Sequence, residues 1–304
     1  MCGIGAWQIV NNEVDSRQVA CSLLRHLSIR GRDASGIAWH QGDGAKPETF
    51  VQKQNVSGEQ LAQMIDPVIG STGVAHTRWA TQGDPKINGN NHPIDVDGII
   101  GVHNGHVAND DALIKACEKY ERKAVVDSEA AFAHIHHGPK KLGLYGRLSA
   151  IRGSAALIWL NSYGPSRYLH TARLTSSPLV FAQLKGGSII VASTVDIMNK
   201  VLKDLKVQAE FMHEYAEGEY IRFKDGMLVE LTDIPMPKPV FVQRHDYSRP
   251  SSFIAQPIAQ PTLFDEDPEE IVLEFEEEDE WAYLQDEFPA MYEELRYGTD
   301  PKKK

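Results

Sequence analysis

Nine short apolar stretches, each bounded by Gly, Asn or Asp, constrain the fold of this chain more than any other feature of its sequence. Short apolar runs between turn-forming residues are typical of β-strands rather than of helices. Helical patterns are fewer, and they fall into groups instead of alternating with the strands. The sequence therefore predicts an antiparallel, layered α+β fold rather than a series of βαβ units. The predicted strands are residues 4–10, 36–39, 73–76, 99–103, 155–160, 179–183, 189–192, 220–223 and 227–231.

Four segments show a helical pattern. Ser16 precedes apolar residues that share one helical face up to Leu27, and we expect its hydroxyl to cap that helix. Asn109 precedes a segment, residues 110–120, whose acidic first turn suits the positive end of a helix dipole, so we expect Asn109 to act as a cap as well. Residues 128–137 and 194–205 are the other two predicted helices.

The composition divides the chain near residue 233. Residues 1–233 are predicted to form one folded domain, and residues 234–304 form a tail that is rich in proline and then in acidic residues. Residues 265–304 carry 16 acidic and 4 basic side chains, a net charge of −12, so the first 264 residues sum to +1 and the whole chain to −11. Such a charged block is typical of disorder. Its aromatic and aliphatic residues leave open a short helix that docks on a protein partner or back on the folded body.

Charge and cysteine usage disfavour several classes of function. The nearly neutral body offers no clustered basic face for nucleic acid, and no apolar run approaches the roughly 18–20 residues that span a membrane. The first residues lack the basic region of a secretory signal. The three cysteines are widely spaced, which argues against a disulfide framework and for a reducing compartment, so we expect a cytoplasmic protein.

The sequence predicts neither a metal nor a cofactor. It contains no CxxC pair and no Walker or Rossmann glycine pattern. His134, His136 and His137 lie near the end of a predicted helix, but carboxylate or thiolate partners at ligand spacing are missing. We expect these three histidines to be a solvated cluster at the helix end.

Cys2 directly follows Met1, and removal of Met1 is expected because the next residue is small. The processed chain would begin with a thiol and a free α-amine on one residue. The thiolate is the nucleophilic form of cysteine, and the amine, with a reference pKa of about 7.7–8, exchanges protons near neutral pH. One residue could then supply both nucleophile and base. The alternative is that Cys2 is only a small apolar residue at the start of a strand.

Four further segments combine with Cys2 into a site that suits an α-amino acid with a side-chain amide; they are residues 30–36, 76–83, 103–105 and 127–129. Arg78 offers a guanidinium for the carboxylate, and Asp127 offers a carboxylate for the ammonium. The Asn104 side chain and the Gly105 backbone amide are suitable donors to an oxyanion. Taken singly, Arg78 and Asp127 could be surface charges, and residues 104–105 a type I′ hairpin turn.

Together these segments resemble the class II glutamine amidotransferases, such as the glutaminase domains of glucosamine-6-phosphate synthase and glutamine phosphoribosylpyrophosphate amidotransferase. The resemblance covers residue 2 to about residue 231, and it implies a four-layer αββα sandwich of two antiparallel sheets, the fold of the N-terminal-nucleophile hydrolases. One departure is Gln82, where the glucosamine-6-phosphate synthase type usually has histidine. The matching motifs are CGIGA (2–6), RGRDASG (30–36), HTRWATQG (76–83), NNHP (90–93), HNG (103–105) and DSE (127–129).

The resemblance also implies a role for each matching residue. Cys2 would be the nucleophile with its own amine as base, and Asn104 and Gly105 would form the oxyanion hole. Arg78 would hold the α-carboxylate of L-glutamine and Asp127 its α-ammonium. The remaining implied residues are Trp79, Thr81 and His92, which would line the pocket, and Arg30, which would brace the turn that carries Cys2.

The expected reaction is hydrolysis of L-glutamine to glutamate and ammonia through a Cys2 thioester. About 70 residues follow the glutaminase-like part, too few for the acceptor domain of the familiar enzymes, so we expect the ammonia to pass to a separate synthase subunit. Segment 265–304 is the candidate docking segment. Two alternatives stay open, namely a hydrolase of the same fold acting on γ-glutamyl amides, and a non-catalytic module that senses glutamine or binds a partner.

Overall fold

The computed structural model describes residues 1–11, 13–41, 48–67, 69–161 and 168–236. Its helices are α1 (Ser16–Leu27), α2 (Gly58–Met64), α3 (Asp110–Lys115), α4 (Asp127–His137), α5 (Gly143–Ser149) and α6 (Val195–Leu205). Its strands are β1 (Gly3–Gln8), β2 (Ala34–Gln41), β3 (Glu48–Gln54), β4 (Thr72–Arg78), β5 (Ile94–Val96), β6 (Ile99–Val107), β7 (Gly153–Asn161), β8 (Tyr168–Thr175), β9 (Val180–Leu184), β10 (Ile189–Ala192), β11 (Ala209–Glu214), β12 (Glu219–Lys224) and β13 (Met227–Asp233).

The strands form two antiparallel sheets, which confirms the predicted α+β class. Within the described ranges, sheet A has the order β11-β9-β10-β1-β4-β2-β3, and sheet B has the order β13-β12-β8-β7-β6-β5. One buried cluster joins the two sheets, with Ile4 and Val74 from sheet A facing Val102 and Ile158 from sheet B. Two further clusters lie between sheet A and helices α1 and α6, and between sheet B and helix α4. The result is the four-layer αββα sandwich.

Local chemistry explains the helix ends, and it corrects two predicted caps. Helix α1 is capped by Asp15, whose carboxylate accepts from the Gln18 amide, so the prediction of Ser16 as the cap is wrong. Asn109 makes no capping bond, because its Oδ1 instead accepts from the Arg152 backbone amide at 2.9 Å. Thr194 caps α6 as its position predicts. The predicted helix 110–120 is also too long, since α3 ends at Lys115.

All nine predicted strands are present, but four strands and two helices were not predicted from the pattern. The missed elements are β3, β5, β8, β11, α2 and α5. Strands β3 and β11 lie at the edges of sheet A and are only partly buried. Their mixture of polar and apolar residues therefore lacks the apolar run that marks a buried strand.

Strand β1 lies near the centre of sheet A, paired with β4 on one side and β10 on the other. A Cβ at Gly3 would lie 2.6 Å from the Thr77 hydroxyl and 2.9 Å from the Leu27 side chain, so a larger residue does not fit. Sheet B approaches the same end of the sandwich, since His76 on β4 shares a 3.2 Å hydrogen bond with the His103 carbonyl on β6. The ends of β1 and β4 thus meet β6.

The described body continues slightly past residue 233. Ile234 is buried, and Met236 packs against the sheet B core. The predictions for the rest of the tail, that it is disordered and that segment 265–304 contains a docking helix, concern residues outside the described ranges. Among the residues that are described, no helix has the length and apolarity needed to cross a membrane.

The histidines at the end of α4 are not the solvated cluster that the sequence predicts. His134 is only 2% exposed and lies within the helix layer. His137 is half-buried and bonds Asp97, with 2.8 Å between Nε2 and the carboxylate. Over the described part of the chain, no three His, Cys, Asp or Glu side chains are grouped to hold a metal ion.

Candidate active site

A pocket lies where the start of β1, the end of β4 and the middle of β6 meet the first turn of α4. It gathers Cys2 and residues from three of the four further segments named above, namely 76–83, 103–105 and 127–129, and it adds His92 from the NNHP motif. Of the nine predicted site residues, Arg30 and Asn104 are not on its surface. The lining residues are Cys2, Arg78, Trp79, Thr81, Gln82, His92, His103, Gly105, Val126, Asp127 and Ser128.

Cys2 lies at the wall of this pocket, against the backbone of Trp79. The Trp79 amide lies 3.5 Å from Sγ, and Sγ lies 3.7 Å from the Trp79 carbonyl. Burial raises the pKa of the Cys2 thiol, while the Trp79 amide and the Arg78 guanidinium oppose that rise because they favour the thiolate. Arg30 holds the backbone from behind, since its Nε donates to the Cys2 carbonyl at 2.8 Å.

Arg78 is a buried cation, only 3% exposed, so the alternative of a surface charge is wrong. Its Nη1 donates to Asn91 Oδ1 at 2.7 Å, and its Nη2 donates to the carbonyls of Gln82 and Gly83. All of these acceptors are neutral, and no carboxylate of the described residues lies within ion-pair distance of the guanidinium. Burial lowers the pKa of Arg78, while nearby acidic groups, among them Asp33 and Asp127, oppose that shift. The pocket therefore offers an anionic ligand a guanidinium that is not already held in an ion pair with a described carboxylate.

Asp127 begins helix α4 and is 9% exposed, so it too is not a surface charge. Its Oδ2 accepts from the Val107 amide at 2.7 Å and lies 3.4 Å from His106 Nδ1. Its Oδ1 lies 3.4 Å from the Ser128 hydroxyl, which is a long hydrogen bond. One carboxylate oxygen is therefore anchored to β6, and the other has spare capacity toward the pocket.

Three histidines support the pocket from behind. The rings of His76 and His92 stack with 4.1 Å between centroids, and His103 Nδ1 lies 2.8 Å from the Ser128 hydroxyl. Burial lowers the pKa of His76 to about 3, lowers that of His92 well below its usual value, and lowers that of His103 as well. The cluster is accordingly neutral near pH 7, so the positive charge of the pocket lining comes from Arg78.

Asn104 and Gly105 lie inside strand β6, paired with Ala156 and Ala155, so the hairpin-turn alternative is wrong. Asn104 is 1% exposed, and its Oδ1 and Nδ2 have no hydrogen-bond partner among the described residues. Gly105 has a φ of +143°, and a Cβ there would overlap the Ser154 carbonyl. A side chain is excluded at this position, which leaves the Gly105 backbone open to the pocket.

Sequence reasoning missed four lining residues: Gln82 as part of the wall, Val126, His103 and Ser128. Three of them stand inside quoted motifs and Val126 stands directly before one, but we assigned none of them a chemical role in an amide site. His103 precedes Asn104 on β6, and Ser128 follows Asp127 on α4. Only the packing of β6 against α4 brings them together.

The four-layer sandwich with this site defines an N-terminal-nucleophile hydrolase fold. The glutamine phosphoribosylpyrophosphate (PRPP) amidotransferase from B. subtilis, solved with ADP and GMP, superimposes with a TM-score of 0.61 at 20% identity, covering 78% of this chain and 50% of that one. A structure described as the allosteric regulatory enzyme of purine biosynthesis gives a TM-score of 0.60 at 19% identity, with 78% and 50% covered. At such identities the likeness establishes the fold.

Sequence comparison shows which proteins with this fold the chain is similar to. The glutamine amidotransferase domain family model matches residues 76–200. The glutamine–fructose-6-phosphate aminotransferase (isomerizing) of Pseudomonas syringae pv. tomato is 31% identical over 204 residues, which cover 63% of this chain and 32% of that protein. The Escherichia coli O6:H1 protein of the same name is 30% identical over 209 residues, with 65% and 32% covered. These matches support a class II glutamine amidotransferase domain in this chain, which spans about a third of the length of those relatives.

Proposed function

We propose that this chain hydrolyses the side-chain amide of L-glutamine, with Cys2 as the nucleophile. One observation carries the proposal: a single pocket joins the Cys2 thiol, the guanidinium of Arg78 and the carboxylate of Asp127. The two charged groups match the two charged ends of an α-amino acid. The third group is the nucleophile that an amide carbon on its side chain would meet.

The chain's own residues can perform both half-reactions. After Met1 is removed, the Cys2 thiolate attacks the amide carbon and forms the C–S bond, and the Asn104 amide and the Gly105 N–H donate to the resulting oxyanion. The α-amine of Cys2 passes the thiol proton to the leaving nitrogen, the C–N bond breaks, and ammonia departs. Water then attacks the thioester, gives a proton to the amine and releases glutamate and the thiol.

Substrate binding rests on opposite charges placed on different elements. Arg78, at the end of β4, would hold the α-carboxylate, and Asp127, at the start of α4, would hold the α-ammonium. Loop residues Trp79 and Thr81 and the buried ring of His92 would complete the wall. Their loop is fixed by Asp33, whose Oδ2 accepts from the Ala80 amide at 2.7 Å.

A second and more specific proposal concerns the destination of the ammonia. We infer that the released ammonia passes to a separate synthase subunit, and that segment 265–304 docks there. Support comes from the matched relatives, which are named as aminotransferases, and from the acidic and aromatic composition of that segment.

The decisive experiment combines the intact mass of the purified chain with a glutaminase assay. We expect a mass short by one methionine, glutamate and ammonia in equal amounts, and no turnover in Cys2→Ala. Cys21→Ala, which changes a buried cysteine of α1 that does not line the pocket, should keep its activity. Turnover of γ-glutamyl amides without turnover of free glutamine would favour the first alternative. Retained Met1 with glutamine binding but no ammonia would favour the sensing module.

A further inference from the structure

We propose that Lys53 is a positioning residue for glutamine binding, and that it acts by clamping the segment 91–93 that orients Arg78. The inference rests on the proposed function. Lys53 lies on β3, the edge strand of sheet A that the sequence pattern did not reveal. Its Nζ donates to the Asn91 carbonyl at 2.7 Å and to the Pro93 carbonyl at 2.9 Å. One ammonium therefore holds both ends of a three-residue segment.

Segment 91–93 contacts Arg78, the residue proposed to hold the α-carboxylate of glutamine. Asn91 Oδ1 accepts from Arg78 Nη1 at 2.7 Å, and Asn91 Nδ2 donates to the Pro85 carbonyl at 2.7 Å. Asn91 is only 1% exposed, so its side chain has little freedom to find other partners. A shift of the Asn91 backbone would consequently move the acceptor of Nη1, which is one of the three acceptors that hold the guanidinium.

The same segment also carries a wall of the pocket. His92 lies between the two carbonyls that Lys53 holds, and its ring stacks on His76. A Cβ at Gly36 would overlap the His92 carbonyl and lie 2.6 Å from the Lys53 Cβ. The segment thus packs against β2 through the His92 carbonyl, and Lys53 binds the carbonyls on either side of it, those of Asn91 and Pro93.

Charge makes this clamp sensitive to alkaline pH. Burial lowers the pKa of Lys53 to about 8, while Asp95 opposes the shift. The other titratable groups facing Lys53 are His76 and His92, which burial keeps neutral near pH 7. Below pH 8 the ammonium makes two charge-assisted bonds, and above that pH the neutral amine donates more weakly. Glutamine binding should weaken in step with this deprotonation.

The test measures L-glutamine binding by calorimetry in the Cys2→Ala background, so that turnover does not interfere. We expect Lys53→Met to raise Kd about tenfold at pH 7, as for the loss of hydrogen bonds to a charged group. The ratio of the two Kd values should fall toward one by pH 9.5, because the parent then loses its charged lysine too. Lys203→Met, which changes an exposed lysine on α6, is the matched control and should bind like the parent.

A purely structural role for Lys53 predicts a constant ratio of Kd values across this pH range, which would overturn the inference. If Lys53→Met fails to fold, Lys53→Arg carries the same test, since a guanidinium stays charged. Its Kd should rise less than that of the parent between pH 7 and 9.5, and an equal rise would refute the idea. Equal affinity of Lys53→Met and the parent refutes the inference alone, whereas a parent that binds no glutamine refutes the proposed function as well.

Discussion

Replacing Asn104 with alanine separates catalysis from stability in this fold. The Asn104 amide is buried, and neither of its polar atoms has a hydrogen-bond partner among the described residues. A buried amide without a partner costs about 1–3 kcal/mol of desolvation free energy. Its persistence in the middle of strand β6 is explained if the partner is an oxyanion that forms only during the reaction.

The expected magnitudes follow from that arrangement. Asn104→Ala breaks no hydrogen bond that the structure shows, and the desolvation cost that it removes offsets the small cavity that it leaves. The free energy of unfolding should therefore change by about 1 kcal/mol or less. Removal of an oxyanion donor typically lowers kcat by roughly 10²–10³, which equals about 2.7–4 kcal/mol in the transition state.

The assay pairs glutamate formation with urea unfolding, and Asn109→Ala provides the opposite control. Asn109 accepts from the Arg152 amide at 2.9 Å and donates to the Ala150 carbonyl at 3.0 Å, away from the pocket. Its truncation should cost about 1–2 kcal/mol of stability and leave kcat unchanged. Near-normal kcat in Asn104→Ala would refute the oxyanion role, and a large loss of stability would refute the reasoning about its missing partners.

Two further predictions concern the nucleophile and the tail. Burial raises the pKa of the Cys2 thiol above its ordinary 9.0. Because only the thiolate reacts with iodoacetamide, the rate of alkylation at Cys2 should still be rising at pH 9. A rate that reaches a plateau below pH 8 would contradict this prediction. A chain that lacks residues 237–304 keeps the buried contacts of Ile234 and Met236 and should retain glutaminase activity. It should lose the acceptor subunit in a pull-down, and unchanged recovery would exclude the tail as the docking segment.

The strand pattern predicts the antiparallel, layered α+β class well because the central strands are apolar on both faces, whereas the two-sheet sandwich was implied by the family resemblance. Strand β10 is found at the predicted residues, 189–192, and it is buried throughout. Edge strand β3 was missed because only one of its sides contacts another strand, which leaves a mixed pattern of polar and apolar residues. The N-cap of helix α1 was ambiguous because Asp15 and Ser16 are adjacent and both suit an N-cap.

The charged residues of the site were predictable because a free amino acid has a carboxylate and an ammonium, which a cationic and an anionic side chain can bind. Arg78 and Asp127 line one pocket with Cys2, as this matching of charges predicts. Their supports were not predictable, since the contact between His103 and Ser128, or between Lys53 and Asn91, depends on which strand and helix pack together. Pairwise contacts across tens of residues leave no periodic signal in a single sequence.

The location of β1 has a consequence for how the domain is made. Residues 3–8 pair with residues 72–77, and residues 5–8 pair with residues 189–192, so one flank of the nucleophile's strand is built from chain that is synthesised long after it. Contacts of such long sequence separation form slowly. A growing polypeptide therefore cannot complete the pairing of β1 on the ribosome until residue 192 has emerged, and a fragment ending before residue 189 would leave β1 with an open edge.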